Sequence, residues 1–96
     1  MNIEEKDHAL FAGLVLMFHA AAMQQMGKVK NPATDKIERN LEQAQTSIDM
    51  LDMLSRKTKG HVSEDEEQLL KRLSQELKLN YVDEMAKDQA KAKESA

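Results

Sequence analysis

The chain carries three histidines and 17 carboxylates, and their spacing decides which chemistry they could perform. Glu5 and His8 form one E-x-x-H, the arrangement by which facing helices hold a pair of metal ions. Such a centre takes two of these motifs and two further carboxylates, all turned inward. No second E-x-x-H follows, and beyond Glu66 and Glu84 the later segments place no acid on their apolar sides. His8, His19 and His61 show no H-x-x-x-H pairing. His61 falls in a junction between segments, and His19 lies on the rim of an apolar run as a packed or interfacial residue rather than a base. Ser47, Ser55, Ser63, Ser74 and Ser95 have no glycine-rich elbow or adjacent histidine to activate a hydroxyl. No glycine loop that could cradle a phosphate is present. The stretch IDMLDMLSRKTKG, from Ile48 to Gly60, sets Asp49 and Asp52 between apolar residues. A helical projection turns both aspartates toward water, Asp52 at ion-pair spacing from Arg56. The expectation is a non-enzymatic protein with no catalytic residues, no metal site and no cofactor.

Three helical segments must position whatever function remains. The first runs from about Glu4 or Asp7 to Met26, with Gly27 placed to end it in the left-handed conformation. In KVKNPATDK, Lys28 to Lys36, Pro32 pushes Asn31 out of helical geometry and a turn follows. Asn40 caps the second helix with Gln43 in place for a reciprocal bond, and Gly60 closes it after Arg56, Lys57 and Lys59. Ser63 and Glu66 repeat that capping box, and Glu64 and Asp65 suit the positive end of the third helix. The predicted fold is all-α: one three-helix domain over residues 1–85, successive helices antiparallel and joined by short connections. The tail AKDQAKAKESA, residues 86–96, has nothing larger than alanine to bury and is expected to be frayed or disordered.

Composition narrows the function classes. A chain of this length has a small core, so any contact between copies weighs heavily in its stability. There is no cysteine, hence no disulfide or thiolate metal site. The net charge of −3 mixes both signs, and the aromatics are only Phe11, Phe18 and Tyr81, so neither the basic face nor the stacking rings of a nucleic-acid binder is visible. The apolar run Ala9 to Met23 falls short of the roughly 20 residues that span a bilayer. Its leader Glu4, Glu5, Lys6, Asp7 is net negative where an export signal is positive, so a cytoplasmic location is expected.

On the second helix Leu41, Ala44, Ile48, Leu51 and Leu54 gather on one side; on the third, Leu69, Leu70, Leu73, Leu77, Tyr81 and Met85 do so, with Leu79 and Val82 left off the stripe. The first helix is apolar nearly all round. Leu10, Phe11, Leu14, Val15, Met17 and Phe18 make a wide face able to cover the other two stripes, which leaves Leu16 and Met23 on the far side beside His19, Gly13 and Ala20. These five residues, Gly13, Leu16, His19, Ala20 and Met23, are the candidate interface. The surplus predicts a homodimer or other homo-oligomer formed through the first helix, or an unidentified protein partner. Peripheral membrane attachment through the same helix ranks second, since the helix lacks a basic polar face. A carboxylate/His metal protein ranks third. Met17, Met23, Met26, Met50 and Met53 are read as core fillers in preference to an adaptable binding surface.

FAGLVLMF at Phe11 to Phe18, NPAT at Asn31 to Thr34, IDMLDMLSRKTKG, VSEDEEQLL and LNYV at Leu79 to Val82 together resemble a small bacterial family of unknown function, DUF1844. The most specific piece is I-D-M-L-x-M-L-x-x-K-T-K-G. The resemblance implies a bacterial, cytoplasmic protein and carries over no catalytic residues. One departure is Asp35, where the family's turn is expected to read NPxTG; the backbone there is expected to need a glycine-type angle, which aspartate tolerates better than most residues.

Overall fold

A computed structural model describes residues 1–95. It contains three helices, α1 (Ile3–Gln25), α2 (Leu41–Lys57) and α3 (Glu64–Ser95), and no strand among the described residues. The chain runs up, down and up. The cross-links to α3 from α1 and from the residues just after it advance together, His8 to Glu66, His19 to Glu76 and Lys28 to Asp83, so α1 and α3 are parallel and α2 is antiparallel to each.

Each helix begins and ends where backbone groups find partners. Asn2 accepts the Glu5 N–H at 2.8 Å to start α1. At its other end Gly27 adopts φ +80°, while the Lys28 N–H reaches the Met23 carbonyl at 2.9 Å, the closing bond of a Schellman motif. Ser63 and Glu66 form the complete capping box of α3, with bonds of 2.8 and 3.1 Å. The box expected at Asn40 forms by half. Its side chain accepts the Gln43 N–H at 3.1 Å, but its own N–H goes 2.7 Å to the Gln25 carbonyl and ties the start of α2 to the end of α1.

The core is narrow and takes three residues from each helix or its cap: Val15, Ala22 and Met26; Ala44, Ile48 and Leu51; Leu70, Leu73 and Leu77. Phe11, Phe18, Met23, Leu41, Leu54, Leu69 and Tyr81 pack around it, half-buried. Met85 does not join them. Its neighbour Glu84 turns inward in its place, 6 % exposed.

Glu84 is a carboxylate encircled by cations, which is how a buried charge becomes tolerable. Lys28 Nζ lies 2.8 Å from it, Lys87 Nζ 2.9 Å and Arg39 Nε 3.0 Å. Arg39 also donates to Asp88 at 2.9 Å. The connection between α1 and α2 is thereby clamped onto α3 at both ends. Its middle is a closed turn: the Asn31 side chain accepts the Ala33 N–H, and Glu38 accepts from Asn31 at 3.1 Å and Thr34 at 2.8 Å. Asp35 takes φ +56°, so the glycine-type angle is present although the glycine is not. Gly27 serves twice, because a Cβ there would meet Arg39 Cδ at 3.1 Å as well as straining the backbone.

Beyond Met85 the structure departs from the expected frayed or disordered tail. α3 continues to Ser95, and Ala96 lies outside the described residues. Alanine, lysine, glutamine and glutamate are strong helix formers, and Asp88 gives this stretch one anchor through Arg39. The remaining side chains beyond Met85 are exposed.

Hydrogen bonds from Lys28 and Lys87, opposed by burial and joined by Arg39, push the Glu84 carboxyl down to about 2 from 4.5. A depressed carboxyl contributes stability that is complete above its unfolded value and disappears as pH falls through its folded one. Glu84→Gln is therefore expected to cost about 1–3 kcal/mol at pH 7. Urea titrations should show the wild type losing this increment between pH 4.5 and pH 2, a window in which the variant lacks the corresponding slope.

Candidate functional site

The orientation of α1 follows from which of its residues meet the neighbouring helices. His8 Nδ1 lies 3.4 Å from Glu66, and His19 Nε2 lies 3.1 Å from Glu76. Gln25 accepts the Ser47 hydroxyl at 2.7 Å on the α2 side. Between these two sides the strip Phe11, Val15, Phe18, Ala22 and Met26 faces the core. Everything opposite that strip is bare. Leu10 is 60 % exposed, Met17 70 %, Leu16 50 % and Leu14 40 %, with Gly13 and Ala20 exposed among them.

The candidate interface residues thus divide. Gly13, Leu16 and Ala20 lie on the outward surface. His19 is half-buried against α3, and Met23 packs against the core. Leu10, Leu14 and Met17, assigned from the sequence to the covering face, point outward instead. A helix that is apolar on all sides has no periodicity to mark its inner face, so the projection was free to rotate. The signal that fixes it is polar: His8 and His19 are three turns apart on one side, and each meets an acid of α3.

The methionines divide too. Met26 is fully buried and Met23 half-buried, whereas Met17, Met50 and Met53 are exposed. Filling the core describes only the first two.

Asp52 was expected to face water with Arg56. It faces α3 instead, accepting the Ser74 hydroxyl at 2.9 Å and pairing with Lys78 Nζ at 3.0 Å. Burial opposes its charge, but Lys78 and Ser74 outweigh that and hold its carboxyl below the ordinary value. Asp49 is exposed and accepts from Gln45 on its own helix. Both aspartates have structural partners.

Among the described residues no three His, Asp or Glu side chains are grouped to hold a metal ion. Glu66, the acid nearest the E-x-x-H, is bound by the Ser63 N–H and by His8, which keep it below the ordinary carboxylate range. An open groove of about 510 Å³ lies beside it, between the start of α1 and the α2–α3 junction, with His8, His61 and Phe11 on its walls. His61 is exposed there. No helix among the described residues is long and apolar enough to cross a membrane.

The family model described as Domain of unknown function (DUF1844) matches residues 8–84. The chain belongs to the DUF1844 family. The match spans the core strip of α1, the NPAT turn, all of α2 and α3 as far as Glu84, so the buried carboxylate and two of its three cations, Lys28 and Arg39, fall inside the family domain. Lys87, Asp88 and the rest of α3 lie past it. No curated protein and no solved structure matches the chain.

Removing Asp52 leaves a hydroxyl and a lysine without their partner across two helices, so Asp52→Ala is expected to cost about 1–2 kcal/mol. Asp49→Ala should stay within about 0.5 kcal/mol. Chemical denaturation of the two variants side by side checks the assignment, and equal losses would contradict it.

Proposed function

We propose that this DUF1844 protein is a non-enzymatic, self-associating module whose contact surface is the outward face of α1. The observation that supports the reading is the uncharged apolar surface formed by Leu10, Leu14, Leu16 and Met17 on a helix whose other side is already occupied. From Ala9 to Gly27 the chain has no Asp, Glu, Lys or Arg, in a protein of which 32 % is charged. Isolated exposed apolar residues are ordinary, but a contiguous group of this kind marks a contact surface.

The overall dimensions point the same way. The chain exposes 6941 Å², against about 5,600 Å² for a compact monomer of its mass. Its radius of gyration is 15.7 Å, where about 12.5 Å is usual for this length. The excess surface, about 1,300 Å², exceeds the roughly 800 Å² that each partner contributes to a standard interface. The polar end of α3 beyond Met85 contributes to it, and so does the outward face of α1. That face is apolar, and a second copy of the chain brings a matching apolar face of its own.

Leu16→Glu places a charge in this surface without touching the core, so it should leave the helix content intact and convert the assembly to single chains. Light scattering coupled to size exclusion reads the mass of both proteins. A wild type that runs as a monomer at working concentrations overturns the proposal.

A further inference from the structure

The outward face of α1 has a regular order of sizes. Leu10, Gly13, Met17 and Ala20 alternate large and small at steps of three and four residues, and Lys6 and Gln24 continue the row at its two ends. At 100° per residue this row points directly away from the core strip, and Leu14 and Leu16 border it on either side. Nothing within the chain accounts for the glycine. A Cβ on Gly13 would meet no atom within 4 Å, and its φ is not one of the positive ones. Glycine inside a helix is unfavourable relative to alanine, so a residue kept there with open space above it suits the close approach of another body.

We infer that two copies of the chain pair through α1 in antiparallel orientation, with Leu10 of one copy over Ala20 of the other, Met17 over Gly13, and the two-fold axis at the level of Val15. The inference rests on the self-association proposed above and specifies its geometry. In this register Leu10 and Met17 each sit over a small residue, two such layers on each side of the axis, and Lys6 faces Gln24 at the two ends. Leu14 and Leu16 each lie close to their own copies and close the two flanks. Sliding the pair by one layer sets Lys6 against Met17, or Gln24 against Gly13, and so buries a polar residue among apolar ones.

Charge favours the same direction. Lys6 lies on the row and in this register faces Gln24 of the other copy, whereas parallel in-register pairing would stack Lys6 on its own copy, with both helix dipoles aligned.

The chain contains no cysteine, so introduced ones report without interference. Leu10→Cys and a tagged Ala20→Cys, both at exposed positions, are mixed in equal amounts and oxidised briefly. In the antiparallel register the two α1 positions face each other, while like positions lie about 15 Å apart along the axis, beyond disulfide reach. The mixed product is expected to exceed its statistical share over the two like products roughly tenfold. A dimer that yields chiefly 10–10 and 20–20 products overturns the antiparallel register and leaves self-association standing. Absence of cross-linked product together with a monomeric mass removes both.

Discussion

A helix with two neighbours can bury only the part of its circumference that lies between them. For α1 that part is the strip Phe11, Val15, Phe18, Ala22 and Met26, against which the cores of α2 and α3 are laid. The rest of the structure depends on this limit. The small core and the bare row of Leu10 and Met17 are consequences of one apolar helix having too few companions in its own chain, while the elongated shape follows from the length of α3. Hydrophobic burial is worth about 25 cal/mol per Å², so apolar area of this kind left in water forgoes a free energy comparable with the stability of a small domain.

Polar contacts decide how the helices are aligned once the core has brought them together. His8 and His19 fix the rotation of α1 against α3, Gln25 with Ser47 fixes α1 against α2, and Asp52 with Ser74 and Lys78 fixes α2 against α3. No buried side-chain nitrogen or oxygen among the described residues lacks a partner. The cluster around Glu84 does more than align. It gathers the end of α1, the α1–α2 connection and α3 at one carboxylate, and the absence of a Cβ on Gly27 is what lets Arg39 lie close enough to reach it.

What could be read from the sequence was local. Asn40, Gly27, Gly60 and the Ser63–Glu66 box marked the helix ends because capping is decided within a few residues. The inner faces of α2 and α3 were legible from Leu41, Ala44, Ile48, Leu51, Leu70, Leu73 and Leu77, since one side of each helix is polar. The inner face of α1 was not, because apolar residues on every side carry no direction. Asp52 sits at the border of its apolar stripe, where a projection cannot tell water from a neighbouring helix. Glu84 and Arg39 are 45 residues apart, and their pairing is a tertiary fact with no local signature. The helix beyond Met85 forms on propensity and a single anchor at Asp88, where the absence of apolar residues suggested none. On the outward face of α1, Gly13, Leu16 and Ala20 were legible from the surplus of an overly apolar helix, while the exposure of Leu10, Leu14 and Met17 was hidden by the same lack of periodicity.

In the proposed assembly a second copy covers the outward face of α1, and Met17 at its middle reports that cover. Oxidation of each methionine by dilute peroxide, followed by mass spectrometry over a range of protein concentrations, measures it directly. Met17 is expected to react readily in dilute solution and to become protected as concentration rises, while exposed Met50 and Met53 react at the same rate throughout. A Met17 that oxidises as fast as those two at every concentration would contradict it.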